Sequence, residues 1–190
     1  PYCYVAGNPL IYVDTDGKKI VFAKGTSPEF KKQFKEAVKY LNAHWCGSML
    51  KEIKNKKQII TVKSSTEFIS GFDGKQTISW NPGIAIVTTS GQSMSPAAVL
   101  NHEVDHALHK VEHPEQYKND ATKETGQDEQ YTNKEEKRVI TGSEQETAKK
   151  TGELDPNISN VTRTDHSYSA LGLVTSPTSN KPPSKNKISL

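Results

Sequence analysis

The sequence predicts an α+β domain in which a short mixed or antiparallel sheet packs on one central helix. Two serine-proline pairs, at 27–28 and 95–96, are each followed by apolar residues three or four positions apart, the pattern of an amphipathic helix with a serine N-cap. Runs rich in β-branched residues at 59–62, 77–80 and 84–87 are typical of short strands. A turn that contains proline and glycine separates the last two runs.

The bounds of the first three helices follow from their start and stop signals. The first helix begins after Ser27 and ends near Asn42, and a second, short helix covers 45–54. The central helix covers 96–112, because its apolar period continues over these residues and Pro114 ends it.

The region after the central helix is more polar. We expect a loop at 114–130, where no apolar period is visible. The segment 132–135 fits a capping box and predicts a short helix over 133–140. A second capping box at 143–146 predicts another helix, which Gly152 ends.

Composition sets the organisation of the chain. Hydrophobic residues make up 33% and the mean hydropathy is −0.72, values low enough to predict polar ends around a smaller folded centre. We expect that centre at 18–170, with a leader at 1–17 and a disordered polar and basic tail at 171–190. The net charge is +3 and the lysines are spread along the chain, which is weak evidence for a nucleic-acid or membrane partner and favours a solvated surface.

Two further classes of segment are not indicated. Cys3 and Cys46 have no CxxC spacing, so the sequence suggests neither a zinc ribbon nor a redox pair, and leaves open whether they form a disulfide. No apolar run approaches the roughly 18 residues of a membrane span.

The segment His102-Glu103-Val104-Asp105-His106 carries the strongest chemical signal. Residues four apart lie on one face of a helix, so His102 and His106 can direct two imidazoles at one metal ion. Catalytic zinc combines three protein ligands with water, and Glu103 is placed to take a proton from that water. About 0.01 matches to this pattern are expected by chance in a chain with six histidines, so the match is informative.

This motif on a capped helix resembles the zincin metallopeptidases. The resemblance implies a zincin-like fold, Zn2+ as the cofactor and hydrolysis of peptide bonds as the reaction. It also implies an edge strand that pairs with extended substrate, which we assign to 83–88. Zincin helices usually carry an uncharged residue where Asp105 stands, so we expect Asp105 to face a basic partner or solvent.

A third ligand is sought among the glutamates that follow the helix. The segment Glu135-Glu136-Lys137-Arg138-Val139-Ile140-Thr141-Gly142 resembles the Glu-Glu-x-Arg-x-x-Gly-Gly segment of the clostridial neurotoxin light chains, which are similar to gluzincins. The likeness to these light chains and to bacterial effector zinc peptidases covers about 76–168. It implies Glu136 as the third ligand, and Glu135 and Glu144 remain open as alternatives.

The same light chains carry an Arg-x-x-Tyr segment late in the domain, where both side chains stabilise the transition state. Arg163-Thr164-Asp165-His166 keeps this spacing, but His166 replaces the tyrosine and Tyr168 lies two residues later. The resemblance implies Arg163 as a donor to the developing oxyanion and His166 as a donor or proton shuttle.

The first seventeen residues resemble the closing segment of RHS-repeat cores. They follow the pattern Tyr-x-Tyr-x-x-x-Asn-Pro-x-x-x-x-Asp-Pro-Asp-Gly, except that Thr15 replaces the second proline. In RHS proteins a variable C-terminal domain, commonly a toxin, follows this segment. The resemblance therefore implies a secreted or cell-surface effector delivered as a C-terminal toxin piece, with a cognate immunity protein as a partner.

The leading hypothesis is a zinc-dependent endopeptidase that acts on a protein substrate. One alternative is a non-catalytic binding module, in which His109 or His166 closes the zinc site as a fourth ligand. Another is an RHS-tail toxin that acts on nucleic acid, but a zinc deaminase needs a later Pro-Cys-x-x-Cys segment, which this chain lacks. No short motif encodes the identity of the substrate.

Overall fold

A computed structural model describes residues 20–55, 58–65, 67–181 and 187–189. The expected RHS-like leader at 1–17, with the first cysteine, lies outside the described residues.

The described residues form an α+β domain of short strands and seven α-helices, as the sequence predicted. The strands are β1 (Ile20–Phe22), β2 (Ile60–Ser64), β3 (Gly71–Phe72), β4 (Thr77–Trp80), β5 (Ile84–Thr88), β6 (Ser93–Met94), β7 (Gln127–Asp128), β8 (Thr132–Asn133), β9 (Tyr168–Leu173) and β10 (Lys187–Ser189). The helices are α1 (Pro28–Ala43), α2 (Ser48–Asn55), α3 (Pro96–Glu112), α4 (Pro114–Ala121), α5 (Lys123–Gly126), α6 (Lys134–Val139) and α7 (Gln145–Thr151), with a π-helical segment, Ile140–Glu144, between the last two.

Two four-stranded sheets replace the single sheet that we expected. The first has the order β1-β2-β4-β3, with β1, β2 and β4 parallel and β3 antiparallel at one edge. The second has the order β10-β9-β5-β6 and is antiparallel throughout. The consecutive strands β4 and β5 therefore lie in different sheets, on either side of the predicted turn at 81–83.

The assignment of 83–88 to a sheet edge is wrong, because β5 lies between β9 and β6. Ile86 is paired with Leu171 on one side and with Met94 on the other. Three consecutive residues of this strand, Ile84–Ile86, are buried, which is typical of a strand covered on both faces. Among the described residues, the edges of the first sheet are instead β1 and the two-residue strand β3.

The two helices with serine caps follow the prediction closely. The Ser27 hydroxyl accepts a hydrogen bond from the Phe30 N–H at the start of α1 (3.1 Å), and the Ser95 hydroxyl does the same for Ala98 in α3 (3.2 Å). Helix α2 begins at Ser48, three residues later than expected.

The loop predicted at 114–130 is wrong, because this segment holds α4, α5 and β7. Pro114 occupies the first turn of a new helix as well as ending the previous one, a position that its fixed φ favours. The apolar contacts of α4 come from Tyr117, whose ring lies 6.1 Å from the rings of both Phe72 and His109. One aromatic residue gives no apolar period, so the sequence pattern missed this helix.

The hydrophobic core lies mainly between the first sheet, α1, α2 and α3. Phe22, Phe30, Phe34 and Trp80 meet in edge-to-face contacts within it. The Trp80 indole N–H donates to the Pro96 carbonyl (2.8 Å), which ties the first sheet to the start of α3. Helix α3 is buried on almost all of its faces, so its polar side chains lie inside the domain and need partners there.

The disordered tail predicted at 171–190 does not hold for residues 171–173, which belong to β9. Leu171 is buried in the second sheet, and β10 extends that sheet beyond β9. Farther along, the Pro177 carbonyl accepts a hydrogen bond from the Ala97 N–H (2.8 Å). The sequence of β9 shows no two-residue apolar period, because Leu171 and its neighbour Gly172 are both buried and the other apolar residues of the strand are only partly buried or exposed.

Candidate metal centre and active site

The two histidines of α3 lie on the same helical face, one turn apart. The Nε2 atoms of His102 and His106 are 3.0 Å from each other, and both side chains are almost fully buried. The i, i+4 spacing in the sequence predicted this convergence.

Glu136 approaches the same two nitrogen atoms from α6. One carboxylate oxygen lies 3.3 Å from Nε2 of His102, and the other lies 3.4 Å from Nε2 of His106. Asn133 caps α6 by accepting the Glu136 N–H (2.8 Å), which fixes where the helix presents this side chain. One ligand atom from each of the three residues lies within 4.8 Å of the others.

The alternative ligands Glu135 and Glu144 lie on the opposite side of the imidazoles. Glu144 contacts Nδ1 of His102 and Glu135 contacts Nδ1 of His106, each at 2.9 Å. Glu135 also contacts Nδ1 of His109 (2.7 Å). The structure therefore separates the three glutamates into one that faces the Nε2 atoms and two that hold the rings from behind.

The π-helical segment brings Glu136 and Glu144 onto the same side of their helix. Eight residues apart, they would differ by roughly 80° in direction along a regular α-helix. A π-turn takes one more residue than an α-turn, so the difference falls to roughly 20°. Two separate capping boxes predicted two helices here, but α6, the π-helical segment and α7 follow one another without a break.

Arg138 connects the carboxylates behind the histidines. Its guanidinium donates to both oxygens of Asp105 (3.0 and 3.1 Å) and to both oxygens of Glu135 (3.0 and 2.8 Å). Ser143 donates a further short hydrogen bond to Asp105. Asp105 thus has the basic partner that we expected, but the sequence analysis did not identify Arg138. The signal that could have pointed to Arg138 is Asp105, because an acidic side chain on a mostly buried helix needs a basic partner.

Arg163 is buried and forms an ion pair with Glu144, as Arg138 does with Glu135. Its Nε donates to Glu144 (3.0 Å), and its guanidinium carbon lies 5.5 Å from the centre of the Tyr168 ring. Its Nη1 has no hydrogen-bond partner among the described residues. The structure therefore places Arg163 at the wall of the site, and adds an ion pair with Glu144 that the sequence did not reveal.

His166 lies on the open side of the cluster. Its Nε2 is 3.3 Å from Glu136, its Nδ1 is 3.3 Å from the Thr132 hydroxyl, and about a third of its side chain is exposed. His109 is held by Glu135 and does not reach the Nε2 atoms of the other two histidines. Of His109 and His166, only His166 therefore lies beside the expected ligands.

The electrostatics of the cluster favour positive charge between the three expected ligands. Burial acts to raise the pKa of Glu135 and Glu144, but hydrogen bonds and nearby cations outweigh it and hold each pKa at about 2. The pKa of Glu136 is strongly lowered by the histidines despite its burial. Burial acts to lower the pKa of His106, yet Glu135 and Glu136 raise it to about 10. The carboxylates therefore demand a cation at this point.

The donor set fits a divalent metal ion. Because a carboxylate only accepts, each Nδ1 must donate to its glutamate, which leaves a lone pair on each Nε2 of a neutral imidazole. Without a metal, the raised pKa of His106 means that a second ring proton supplies the positive charge between these groups. A metal ion that takes the place of that proton would meet the two Nε2 lone pairs and the Glu136 carboxylate at one point. One carboxylate oxygen of Glu136 is also buried without a hydrogen-bond partner among the described residues. Two imidazoles and one glutamate form a ligand set that catalytic zinc uses.

A cavity of about 510 Å³ opens onto this cluster. Glu103 lines it beside the two histidines and is 7% exposed. The other walls come from β3 and the residue after it, from α4, and from β9 and the segment before it. They contribute Phe72, Asp73, Tyr117, Arg163 and Tyr168. The cavity therefore gives access to the Nε2 side of the histidines, whereas the Nδ1 side is closed by protein.

Comparison with known proteins gives one match. The sequence model of the peptidase family M91, described as effector proteins, matches residues 18–170. No curated protein and no solved structure matches the chain.

Proposed function

The chain belongs to the M91 family of effector peptidases, and from that premise we propose that it is a zinc-dependent endopeptidase. The proposal rests on one observation, the convergence of two imidazole Nε2 atoms and the Glu136 carboxylate at a point where the surrounding charges require a cation. His102, His106 and Glu136 would hold the ion. Glu144 and Glu135 would orient the two imidazoles through their Nδ1 atoms, as carboxylates commonly do behind zinc-binding histidines.

The chemistry requires a base, an activated water and a donor for the oxyanion. Bound zinc supplies Lewis-acid chemistry and brings the pKa of a coordinated water to about 7. Glu103, which lines the cavity next to both histidines, would take a proton from the water as its oxygen adds to the peptide carbonyl, and would pass that proton to the leaving amine as the C–N bond breaks. The free Nη1 donor of Arg163 and the side chain of His166 flank the cavity and are the candidates for stabilising the oxyanion.

The substrate backbone has a suitable docking edge at β3. This strand pairs with β4 on one side only, and its residues line the cavity. An extended peptide can add to such an edge through main-chain hydrogen bonds. The role first assigned to 83–88 therefore moves to Gly71–Phe72.

The non-catalytic alternative requires a fourth protein ligand. The geometry favours an open site, because His109 is engaged by Glu135, and His166 stands beside Glu136 outside the group of three potential ligands. An exposed coordination position is what a catalytic centre needs.

Delivery as a secreted effector is part of the proposal. The family description and the RHS-like leader both support a domain that acts away from the producing cell, on a protein substrate and with a cognate immunity protein. Among the described residues, no helix has the length and apolar character needed to cross a membrane.

The test combines metal content with new N-termini in a cell lysate. We expect one zinc per chain in the wild type and in Glu103→Gln, and new N-termini from the wild type alone, because the substitution removes only the proton acceptor. Glu52→Gln, an exposed position on α2, is the matched control and should cleave like the wild type. Stoichiometric zinc without any cleavage that depends on Glu103, across several lysates, would support the structural-zinc alternative instead.

A further inference from the structure

Charge is distributed unevenly along the domain. Residues 18–63 contain twelve lysines and three glutamates, with no arginine and no aspartate. Residues 64–181 contain eleven basic and seventeen acidic side chains. The small net charge thus hides a basic N-terminal part and an acidic remainder, although the lysines look evenly spread when the whole chain is counted.

Part of this basic charge is organised on one face of α1. Lys32, Lys35 and Lys39 are spaced three and four residues apart, so they share the helical face opposite the one that packs into the core. All three are exposed, and none forms an ion pair with an acid among the described residues. The nearby Glu36 accepts a hydrogen bond from the Ser176 hydroxyl (2.7 Å).

Trp45 follows α1 in the chain, two residues after the helix ends at Ala43. Its side chain is 85% exposed, and its backbone has a φ of 60°, a left-handed conformation that favours glycine. The backbone N–H groups of Trp45 and Cys46 donate to Asn42 and Leu41, which close the helix end without using the indole. Trp45 therefore carries two unfavourable features, a left-handed backbone and a large apolar ring exposed to water. Neither hydrophobic cluster of the described residues includes it.

We propose that the lysine face of α1 (Lys32, Lys35 and Lys39) and the exposed ring of Trp45 bind the surface of an anionic lipid bilayer together. Lysines are attracted as point charges to the negative potential of such a surface, and tryptophan is favoured at the level of the headgroups. The apolar side of α1 is used in the core, so binding is peripheral and depends on salt. The absence of arginine from 18–63 disfavours nucleic acid, which arginine recognises by bidentate bonds and stacking.

The intrinsic fluorescence of the full chain provides a direct test, because the protein has only two tryptophans and Trp80 is fully buried. Vesicles of phosphatidylcholine mixed with phosphatidylserine should shift the emission of Trp45 to the blue, and high salt should reverse the shift. Phosphatidylcholine vesicles alone should cause none. The emission of Trp45 alone is obtained by subtracting the spectrum of Trp45→Gly, which keeps the buried Trp80. A Trp45 emission that is already blue-shifted in buffer would mean that this ring is covered by protein, and would overturn the proposal.

Substitution of the three lysines gives the size of the effect. One lysine near an anionic surface is worth about fivefold in partitioning. The triple change Lys32→Gln, Lys35→Gln and Lys39→Gln should therefore weaken vesicle binding on the order of 100-fold. The matched control is Lys118→Gln, Lys123→Gln and Lys149→Gln, exposed residues of the acidic part, which remove the same charge elsewhere. Equal losses of vesicle binding in the two triple variants would mean that binding depends only on net charge, and would overturn the proposal.

Trp45→Gly separates binding from folding. Glycine suits the left-handed backbone, so the melting temperature should stay the same or rise, while vesicle binding falls. A clear fall in melting temperature would assign Trp45 a structural role and contradict the proposal. Tighter binding to DNA or RNA than to anionic vesicles at equal salt would replace the membrane with nucleic acid. None of these measurements depends on peptidase activity or on bound metal.

Discussion

The two sides of the paired histidines differ in how completely their polar atoms are satisfied. On the Nδ1 side, Glu135 and Glu144 are held by Arg138 and Arg163 as well as by the rings. On the Nε2 side, Glu136 keeps a buried oxygen that is near two histidines but has no hydrogen-bond partner among the described residues, and a cavity opens there. The difference indicates that one side stabilises the domain while the other is reserved for a ligand.

The largest effect should come from breaking an ion pair on the satisfied side. Arg163→Ala leaves the buried Glu144 carboxylate without its cation, and such a loss typically costs about 3–5 kcal/mol. Urea titration of the metal-free protein measures this loss as a change in the free energy of unfolding. Arg163→Lys keeps the charge and should recover part of the loss. An unchanged free energy of unfolding in Arg163→Ala would leave Arg163 with the oxyanion role alone.

On the cavity side, Glu136→Gln should act mainly on metal binding. Removing a carboxylate behind a metal ligand typically costs 10–100-fold in affinity, so a lost ligand should cost more than about 100-fold. Competition with a chromogenic chelator measures zinc affinity. In the metal-free protein, Glu136→Gln also removes the ion pairs with the histidines that lower the pKa of this carboxyl, so the free energy of unfolding is measured separately from zinc affinity. Unchanged zinc content and activity would transfer the ligand role to Glu135 or Glu144.

An intermediate effect is expected for the carboxylates that orient the rings. Glu144→Gln and Glu135→Gln keep the shape of each side chain but remove the charge that fixes the Nδ1 proton of His102 or His106. We expect zinc affinity to fall about 10–100-fold in each case. The same competition assay checks this, with Glu52→Gln as the exposed control. A loss as large as that of Glu136→Gln would erase the difference between the two sides.

The smallest effect concerns Glu153, a buried carboxyl that forms no ion pair with a basic side chain in the described part of the chain. Glu153 accepts hydrogen bonds from the N–H and hydroxyl of Ser95 and from the Tyr40 hydroxyl, and burial raises its pKa above the ordinary 4.5. A raised pKa means that its contribution is fully present below pH 4.5 and is lost as the pH rises through the pKa of the folded state. Glu153→Gln should therefore gain stability relative to the wild type as the pH increases.

The effect of pH on stability has the opposite sign for Glu135 and Glu144, the glutamates behind the histidines. Their pKa of about 2 lies below the ordinary 4.5, so their contribution is present above pH 4.5 and is lost as the pH falls towards 2. Urea titrations of wild type, Glu153→Gln and Glu144→Gln across this range compare the two environments directly. Parallel pH profiles for the two variants would contradict the assignment.

Local spacing was sufficient to predict the central helix and the two histidines that share one of its faces. The serine caps, the i, i+4 histidines and the Glu-Glu pair are features of a few neighbouring residues, and helical periodicity converts their spacing into a shared face. The α+β class and the helices α1 and α3 followed from the same kind of signal. The prediction failed for α4, where one tyrosine supplies the packing, and for the edge strand.

Only the tertiary structure decided which glutamate meets the Nε2 atoms and which ones hold the rings. That distinction depends on the packing of α6 against α3 and on the extra residue of the π-turn, and no periodicity of the sequence encodes either. The pairing of Asp105 with Arg138 and of Glu144 with Arg163 likewise joins residues far apart in the chain. Sequence determines a side chain's chemistry and its local direction, whereas its partner is set by how distant elements pack.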